Sequence, residues 1–219
     1  MRVISGTAKG RVLKAPEGLA TRPMADRVKE SLFNILAVLG FPTEDDRVLD
    51  LYAGTGALGI EALSRGDAWA DFVEQASEPA RCIRANLAAT GFAGQAAVHP
   101  IQVTTFLRGA GNLTINGSRG HNGGRYDIIF CDPPYADPAV PAVVAELAAW
   151  SGLDPAGVLI VGHARQVEMP DALGPLARVR YRRWGGSAFS LYRRDQGSAA
   201  GDPGQATADE GRASLIPDA

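Results

Sequence analysis

The sequence predicts an α/β protein whose mainly parallel sheet is covered by helices on both faces. Apolar runs of strand length alternate with helical patterns, and a glycine-rich segment directly follows the first of these runs. The chain has 219 residues, of which 46% are hydrophobic, and this is enough for one ordinary domain with a proper core. Because strands that alternate with helices form right-handed βαβ units, the sheet should be parallel.

The chain begins with two short strand patterns, residues 2–6 and 10–14, around a glycine turn. This arrangement predicts a small β-hairpin rich in lysine and arginine. Residues 26–39 follow as a predicted helix with one apolar stripe formed by Val28, Leu32, Ile35, Leu36 and Leu39. We therefore expect a basic hairpin and linker over residues 1–23 and the principal domain over residues 24–195.

Seven sheet strands are predicted after this helix. Five lie at residues 47–52, 71–74, 96–99, 127–131 and 158–162, and helices are expected between them at 58–64, 78–89 and 139–150. The last two, 179–184 and 189–193, are separated by only four residues, too few for a crossover helix, so they should form an antiparallel hairpin at one end of the sheet.

Two segments lack the pattern of a helix or strand. Residues 109–125 hold six glycines and three asparagines, which predicts a flexible surface loop. Residues 196–219 are rich in glycine, alanine, aspartate and proline and contain few large apolar side chains. Such a segment buries too little surface to offset its ordering entropy, so we predict a disordered tail.

Composition excludes several classes of protein. No apolar run approaches the roughly 18 residues of a membrane span, and the first residues lack the apolar segment of a secretory signal, so we expect a cytoplasmic protein with no membrane partner. Cys82 and Cys131 are too few for a disulfide framework or a cysteine-rich zinc site. His99, His121 and His163 lack metal-ligand spacing, and we therefore expect no metal.

The net charge of -2 conceals basic segments near both ends of the predicted fold. Residues 1–34 carry seven basic and three acidic side chains, and residues 178–194 carry six basic and no acidic ones. Two basic segments around an acidic middle suggest a surface that faces a polyanion. Two solvated basic faces without a partner would produce the same distribution.

The glycine-rich segment over residues 50–59 reads DLYAGTGALG and lies between a predicted strand and a predicted helix. Its glycines satisfy the G-x-G-x-x-G pattern of nucleoside-cofactor loops, and Glu74 follows Gly54 by 20 residues, where its carboxylate can bind ribose hydroxyls. Taken alone, these features fit NAD. However, Asp50 places a carboxylate beside the loop, which favours a cationic nucleoside without phosphates.

A second motif, Asp132-Pro133-Pro134-Tyr135, stands at the end of the fourth predicted strand. The prolines fix φ and remove two backbone donors, so the Asp132 carboxylate and the peptide carbonyls offer only acceptors. Tyr135 adds a flat aromatic face. Acceptors beside an aromatic ring suit a planar group that bears an amino group, and a dehydrogenase has no use for this motif.

The two motifs together resemble the class I S-adenosylmethionine-dependent methyltransferases that act on exocyclic amines or amides. Four amino-terminal segments narrow the resemblance to the RsmD family, the 16S rRNA guanine-N2 methyltransferases. They are RVISG at 2–6, KGR at 9–11, TRP at 21–23 and DRVKESLFN at 26–34. The resemblance continues through residues 50–66, 72–74 and 132–135 to the closing segments 184–185 and 191–193, so it covers residues 1–194.

The resemblance implies a Rossmann-like class I methyltransferase domain over residues 24–195, with a seven-stranded sheet, S-adenosyl-L-methionine as cofactor, and 16S rRNA or the small ribosomal subunit particle as partner of a monomeric enzyme. The expected catalytic residues are Asp132, Pro133, Pro134 and Tyr135. The expected cofactor-binding residues are Asp50, Ala53, Gly54, Thr55, Gly56, Glu74 and Gln102. The expected RNA-binding residues are Lys9, Arg11, Arg22, Arg27, Arg182, Arg183 and Trp184.

The sequence departs from the family pattern at three places. Met24 stands where threonine is usual, Gln102 where an acidic residue usually meets adenine, and the segment 109–125 is longer than the family's connection. Other readings stay open at this point. The same fold can methylate adenine N6 in DNA or a protein glutamine, and the glycine loop alone permits an NAD-dependent dehydrogenase. A non-catalytic RNA-binding protein is the last alternative.

Overall fold

The computed structural model describes residues 1–16, 26–109, 125–135, 137 and 140–194. The five helices in these ranges are α1 (Asp26–Val38), α2 (Ala57–Arg65), α3 (Ser77–Thr90), α4 (Val103–Gly109) and α5 (Val140–Ala149). The strands are β1 (Arg47–Leu51), β2 (Trp69–Val73), β3 (Ala96–His99), β4 (Tyr126–Cys131), β5 (Leu153–Ala164), β6 (Ala172–Leu173), β7 (Leu176–Trp184) and β8 (Ser187–Arg194).

These strands form one sheet in the order β3-β2-β1-β4-β5-β8-β7-β6. The first five strands run parallel, and β8, β7 and β6 continue the sheet in antiparallel pairing. The predicted α/β class and the antiparallel carboxyl-terminal hairpin are confirmed. The described sheet has eight strands rather than the predicted seven, because the two-residue strand β6 is too short to produce a sequence pattern.

Helices cover both faces of the sheet. One core lies beneath α1, α2 and α3 and includes Phe33, Phe72 and Phe130, whereas the other lies beneath α4 and α5 and includes Phe106 and Tyr126. Every residue of β1 and β4 is buried between these layers. This position explains why most residues of both strands are apolar. No helix in the described ranges has the length and hydrophobicity that a bilayer span requires.

The predicted amino-terminal hairpin is present in reduced form and packs against α2. Its only ladder pairing is Arg2 with Val12, supported by backbone hydrogen bonds such as Val3 N to Arg11 O at 2.9 Å. At Gly6, φ is +82° and an added Cβ would lie 1.6 Å from the carbonyl oxygen of Ser64 on α2. Only glycine therefore permits the hairpin to approach the helix this closely.

A buried ion pair holds the hairpin to the helices. Glu61 on α2 accepts hydrogen bonds from Ile4 N (2.7 Å) and Ser5 N (3.0 Å) and lies 3.1 Å from Nζ of Lys29 on α1. Lys29 also donates to Arg2 O at 2.6 Å. Neither charged side chain is exposed, and burial lowers the pKa of Lys29. Lys29, part of the family-like segment 26–34, thus has a structural position rather than one on the surface.

Several predicted segments fall outside the described residues. These are the tail 196–219, the positions 110–124 of the predicted surface loop, and part of the predicted linker, including Arg22 and Met24. The division into residues 1–23, 24–195 and 196–219 stays a prediction.

Candidate active site

The candidate site lies at the carboxyl edge of the parallel strands, where the strand order changes direction. β1 has β2 on one side and β4 on the other, and open α/β sheets bind ligands in the crevice at such a switch point. Leu51 pairs with Val73 and with Cys131. Because of this register, the residues that follow these strands, including Glu74 and Asp132, leave the sheet at the same level on either side of the glycine loop.

The glycine loop turns sharply after β1. Tyr52 adopts a left-handed φ of 58°, which is strained for a residue with a side chain, and Gly54 follows with φ of 56°. An added Cβ at Gly59 would lie 2.4 Å from the ring of Phe72, so that glycine permits α2 to pack on the sheet. A Cβ at Gly54 would meet only Tyr52 O, at 3.9 Å. Gly54 is therefore the position where a ligand can approach the backbone.

Glu74 holds the glycine loop from the neighbouring strand. Its Oε2 accepts a hydrogen bond from Gly54 N at 3.0 Å, and its Oε1 accepts one from Ala76 N at 2.8 Å. The side chain is half-buried. A carboxylate accepts about four hydrogen bonds in all, which leaves capacity for ribose hydroxyls.

Asp50 lies beneath the glycine loop rather than at its surface. It is only 2% exposed, and its Oδ2 accepts a hydrogen bond from Gly59 N at 2.9 Å. Burial raises the pKa of Asp50 to about 8, Gly59 N–H opposes the rise, and the carboxylates of Asp132 and Glu74 add to it. A cation bound in the crevice would favour the ionised form of this carboxyl.

Asp132 follows β4 and packs against the backbone of β5. Its Oδ1 lies only 2.1 Å from the position that a Cβ on Gly162 would occupy, so the bare backbone of Gly162 provides the space for this carboxyl. Burial raises the pKa of Asp132 to about 6, and a hydrogen bond with the Tyr135 hydroxyl opposes the rise. The residue is half-buried.

The remaining residues of the tetrapeptide shape its surroundings. Tyr135 is 44% exposed, and its hydroxyl interacts with the side chains of Asp132 and of Ser187 at the start of β8. Burial raises the pKa of Tyr135, and the charge of Asp132 adds to the rise. The carbonyl of Pro134 accepts a hydrogen bond from Asp137 N at 2.9 Å and is therefore committed to the turn. Pro133 is buried.

The other predicted cofactor residues lie along the same edge. Ala53 is buried, and its carbonyl accepts a hydrogen bond from Gly56 N at 2.7 Å, which closes the turn. Thr55 is half-buried, and its carbonyl accepts one from the Asn86 side chain at 3.0 Å. Gln102 is exposed at the start of α4, beyond β3, so it stands two strands away from β1.

The predicted RNA-binding residues divide into two groups beside the crevice. Lys9, Arg11 and Arg27 are exposed on the amino-terminal hairpin and the start of α1. The hairpin adjoins the glycine loop, since Met1 Sδ lies 3.8 Å from Thr55 Oγ1.

The second group lies on β7, next to the turn that carries Ser187. Arg182 and Arg183 are exposed, and the Arg183 guanidinium lies 5.7 Å from the centre of the Tyr181 ring. Trp184 is half-buried and packs edge-on against Phe189, with 5.8 Å between the ring centres. Because Ser187 lies beside Tyr135 of the predicted catalytic tetrapeptide, this group borders the opposite side of the crevice from the hairpin.

Three residues that support this site were not identified from the sequence: Asn86, Gly162 and Ser187. A glycine inside the apolar run 158–162 is a general signal of close backbone approach, but it does not name the partner. Asn86 and Ser187 carry no signal in the sequence at all. In the described ranges, no group of three or more histidine, cysteine, aspartate or glutamate side chains is arranged to hold a metal ion.

Comparisons with known proteins agree with this geometry. The family model described as Conserved hypothetical protein 95 matches residues 1–193. YlbH of Bacillus subtilis, provisionally described as an rRNA methyltransferase, is 36% identical over 194 residues, which cover 89% of this chain and 99% of YlbH. Ribosomal RNA small subunit methyltransferase D of Escherichia coli strain K12 is 32% identical over 92% of this chain and 94% of its own length.

A solved structure is similar as well. The protein yhhF of Escherichia coli, provisionally described as a methyltransferase, superposes with a TM-score of 0.72 at 32% identity, covering 89% of this chain and 98% of that chain. The similarity therefore includes the amino-terminal hairpin, the crevice and the antiparallel end of the sheet.

Proposed function

Because the chain belongs to the RsmD family, whose model is described as Conserved hypothetical protein 95, we propose that it methylates the exocyclic N2 amine of a guanine in small-subunit rRNA, with S-adenosylmethionine as the methyl donor. The observation that carries this proposal is the position of Asp132 and Tyr135 across the switch point from the glycine loop. Since all these groups come from one chain, a monomer suffices for the reaction.

The residues around the glycine loop fit the cofactor. Gly54 leaves room for close approach to the backbone, Glu74 offers free acceptor positions to the ribose, and Asp50 supplies a carboxyl that a cation would ionise. When bound, S-adenosylmethionine supplies an electrophilic methyl group on its sulfonium. The protein therefore mainly has to position the nucleophile in line with that methyl group.

Asp132 and Pro133 would hold the amine. The guanine N2 lone pair is delocalised into the ring, so it attacks weakly until N2–H donates to good acceptors. The Asp132 carboxylate and the Pro133 carbonyl provide two such acceptors, since Pro134 is committed to the turn. These hydrogen bonds localise the lone pair and stabilise the positive charge that develops on nitrogen. In the transfer, the sulfur–methyl bond would break as the nitrogen–methyl bond forms, with S-adenosylhomocysteine as the leaving group. Asp132 would accept the proton that N2 loses, a role that suits a carboxyl with a pKa of about 6.

Tyr135 would hold the base itself. Its ring is exposed enough to stack on a guanine withdrawn from the RNA, and such a contact contributes about 1–3 kcal/mol per base. Its hydroxyl is fixed by Asp132 and Ser187, so the ring has a defined orientation before the base arrives. We therefore assign the ring of Tyr135 to base binding and its hydroxyl to the placement of the Asp132 carboxylate.

The two basic groups would bind the RNA on either side of the extruded base. Lys9, Arg11 and Arg27 adjoin the cofactor side, whereas Arg182 and Arg183 adjoin the side of Tyr135. Cations at these positions are suited to phosphates, and Trp184 to an unpaired base.

A substrate panel tests the proposal. The enzyme is incubated with labelled S-adenosylmethionine and, separately, naked 16S rRNA, small ribosomal subunits, DNA and a release factor. We expect label only in rRNA, either naked or in the subunit, and after digestion we expect it in N2-methylguanosine. Asp132→Ala, checked for folding, should abolish the transfer. Label in adenine or in the release factor, or a near-normal rate for Asp132→Ala, would contradict the proposal.

A further inference from the structure

Asn86 connects the amino-terminal hairpin to the glycine loop. It lies on α3, is only 1% exposed, and belongs to neither the crevice nor the basic surface. Its Oδ1 accepts a hydrogen bond from Lys14 N at 2.8 Å, and its Nδ2 donates to Lys14 O and to Thr55 O, both at 3.0 Å. One side chain therefore binds the backbone of both segments.

This arrangement requires an amide. The oxygen faces an N–H group and the nitrogen faces two carbonyl groups, so every donor and acceptor at this buried position is satisfied. An aspartate has the same shape but only acceptors, and it would place a carboxylate against the carbonyls of Lys14 and Thr55. Position 86 therefore requires a side chain that both accepts and donates hydrogen bonds.

The two segments that Asn86 joins have different proposed ligands. Thr55 lies between Gly54 and Gly56, where the cofactor would approach the backbone. Lys14 ends the hairpin that presents Lys9 and Arg11 to solvent. A ligand that fixes one of these segments therefore reduces the conformational freedom of the other. The second ligand then binds at a smaller cost in conformational entropy.

We propose that Asn86 is a positioning residue that couples RNA binding at the amino-terminal hairpin to cofactor binding at the glycine loop. The inference depends on the proposed function, because it assumes that these two ligands bind at these two segments. Coupling between two sites is reciprocal, so RNA must improve cofactor affinity by the same factor by which cofactor improves RNA affinity.

The experiment measures this factor directly. The dissociation constant of S-adenosylhomocysteine, which cannot react, is measured by calorimetry with and without saturating naked 16S rRNA. For the wild-type protein we expect RNA to tighten binding at least about fivefold, the lower end of typical coupling. For Asn86→Asp the ratio should fall to within about twofold of unity. Asn34→Asp makes the same chemical change at an exposed position of α1 and should keep the wild-type ratio.

The ratio separates coupling from a simple loss of stability, because weaker binding of one ligand alone leaves the ratio unchanged. If Asn86→Asp does not fold, Lys14→Pro is the second variant: it removes the N–H that donates to Oδ1, together with the lysine side chain, and leaves α3 unchanged. It should lower the ratio too. A wild-type ratio in the folded Asn86 variant, or in Lys14→Pro when that variant replaces it, overturns the inference. The inference is also overturned if the wild-type protein methylates rRNA but binds S-adenosylhomocysteine equally well with and without RNA. A wild-type protein that neither binds nor methylates rRNA would instead overturn the proposed function.

Discussion

A methyl group added at Gly162 tests whether the position of the Asp132 carboxylate matters for the proposed reaction. In Gly162→Ala the new Cβ would lie 2.1 Å from Asp132 Oδ1, 2.8 Å from its Cγ and 3.0 Å from the ring of Phe189. The backbone has little freedom to retreat, because β5 is hydrogen-bonded to β4 on one side and to β8 on the other. The carboxylate therefore has to move.

The size of the movement follows from the contact distance. An ordinary van der Waals contact begins near 3.4 Å, so Oδ1 must withdraw by about 1.3 Å. A misplacement of about 1 Å in a catalytic group costs about 100-fold in rate. We expect kcat to fall by about this factor. The affinity for S-adenosylhomocysteine should stay the same, since the atoms nearest to the new Cβ belong to Asp132 and Phe189 and not to the glycine loop.

The assay combines methyl transfer with thermal unfolding. The extra methyl group should also destabilise the fold by about 1–3 kcal/mol, the usual cost of overpacking. Most of this cost should disappear when Gly162→Ala is made in an Asp132→Ala background, because the obstructing carboxylate is then absent. Gly94→Ala, where an added Cβ meets nothing within 4 Å, is the matched control. Near-normal kcat in a folded Gly162→Ala protein would refute the assigned position of Asp132.

Three further predictions concern the pH profile, the hairpin and the basic strand. Since the pKa of Asp132 is raised to about 6 and its ionised form accepts the proton of the amine, log(kcat) at saturating S-adenosylmethionine should rise with pH below about 6, and a flat profile from pH 5 to 7 would contradict this role. Gly6→Ala should lower the free energy of unfolding by about 2–4 kcal/mol, because the new methyl group clashes with the α2 backbone. Gly10→Ala has nearly the same φ but open space around it, and it should lower that free energy by only about 1 kcal/mol. Equal losses of stability in the two variants would refute the clash. Arg182→Gln should weaken rRNA binding and reduce its dependence on salt by about one ion, whereas Arg84→Gln on α3 should leave that dependence unchanged.

Local patterns in the sequence predicted most of the helices and strands. The central parallel strands β1, β4 and β5 were predicted because their inner residues lie between two helical layers and are largely apolar. Helix α4 and strand β6 were not predicted; the two residues of β6 are too few to show a period. At the amino terminus, two predicted strands shrink to a single bridge, because α2 and its buried Glu61 satisfy hairpin backbone groups that a longer ladder would otherwise pair.

The candidate site was predicted in part. Asp132 and Glu74 were identified because strand order places the residues after parallel strands at one edge, and the structure places them on either side of the glycine loop. Asp50 was expected beside the ligand, but its carboxyl lies under the loop and holds Gly59 N. A strand pattern places a residue along the chain but does not indicate how deeply its side chain is covered by the helix that follows.

The residue types and their spacing by themselves determined the α/β class, the glycine loop, the acceptor tetrapeptide and the two basic segments, because these depend on neighbours within a few positions. Only the tertiary structure decided that Gly162 makes room for Asp132, that Ser187 fixes Tyr135, and that Asn86 joins Thr55 to Lys14. These contacts join residues that are far apart in the sequence; Asn86 and Lys14, for example, are 72 positions apart. Local sequence patterns therefore do not reveal them. Such contacts depend on helix docking and sheet register, which the whole core sets together.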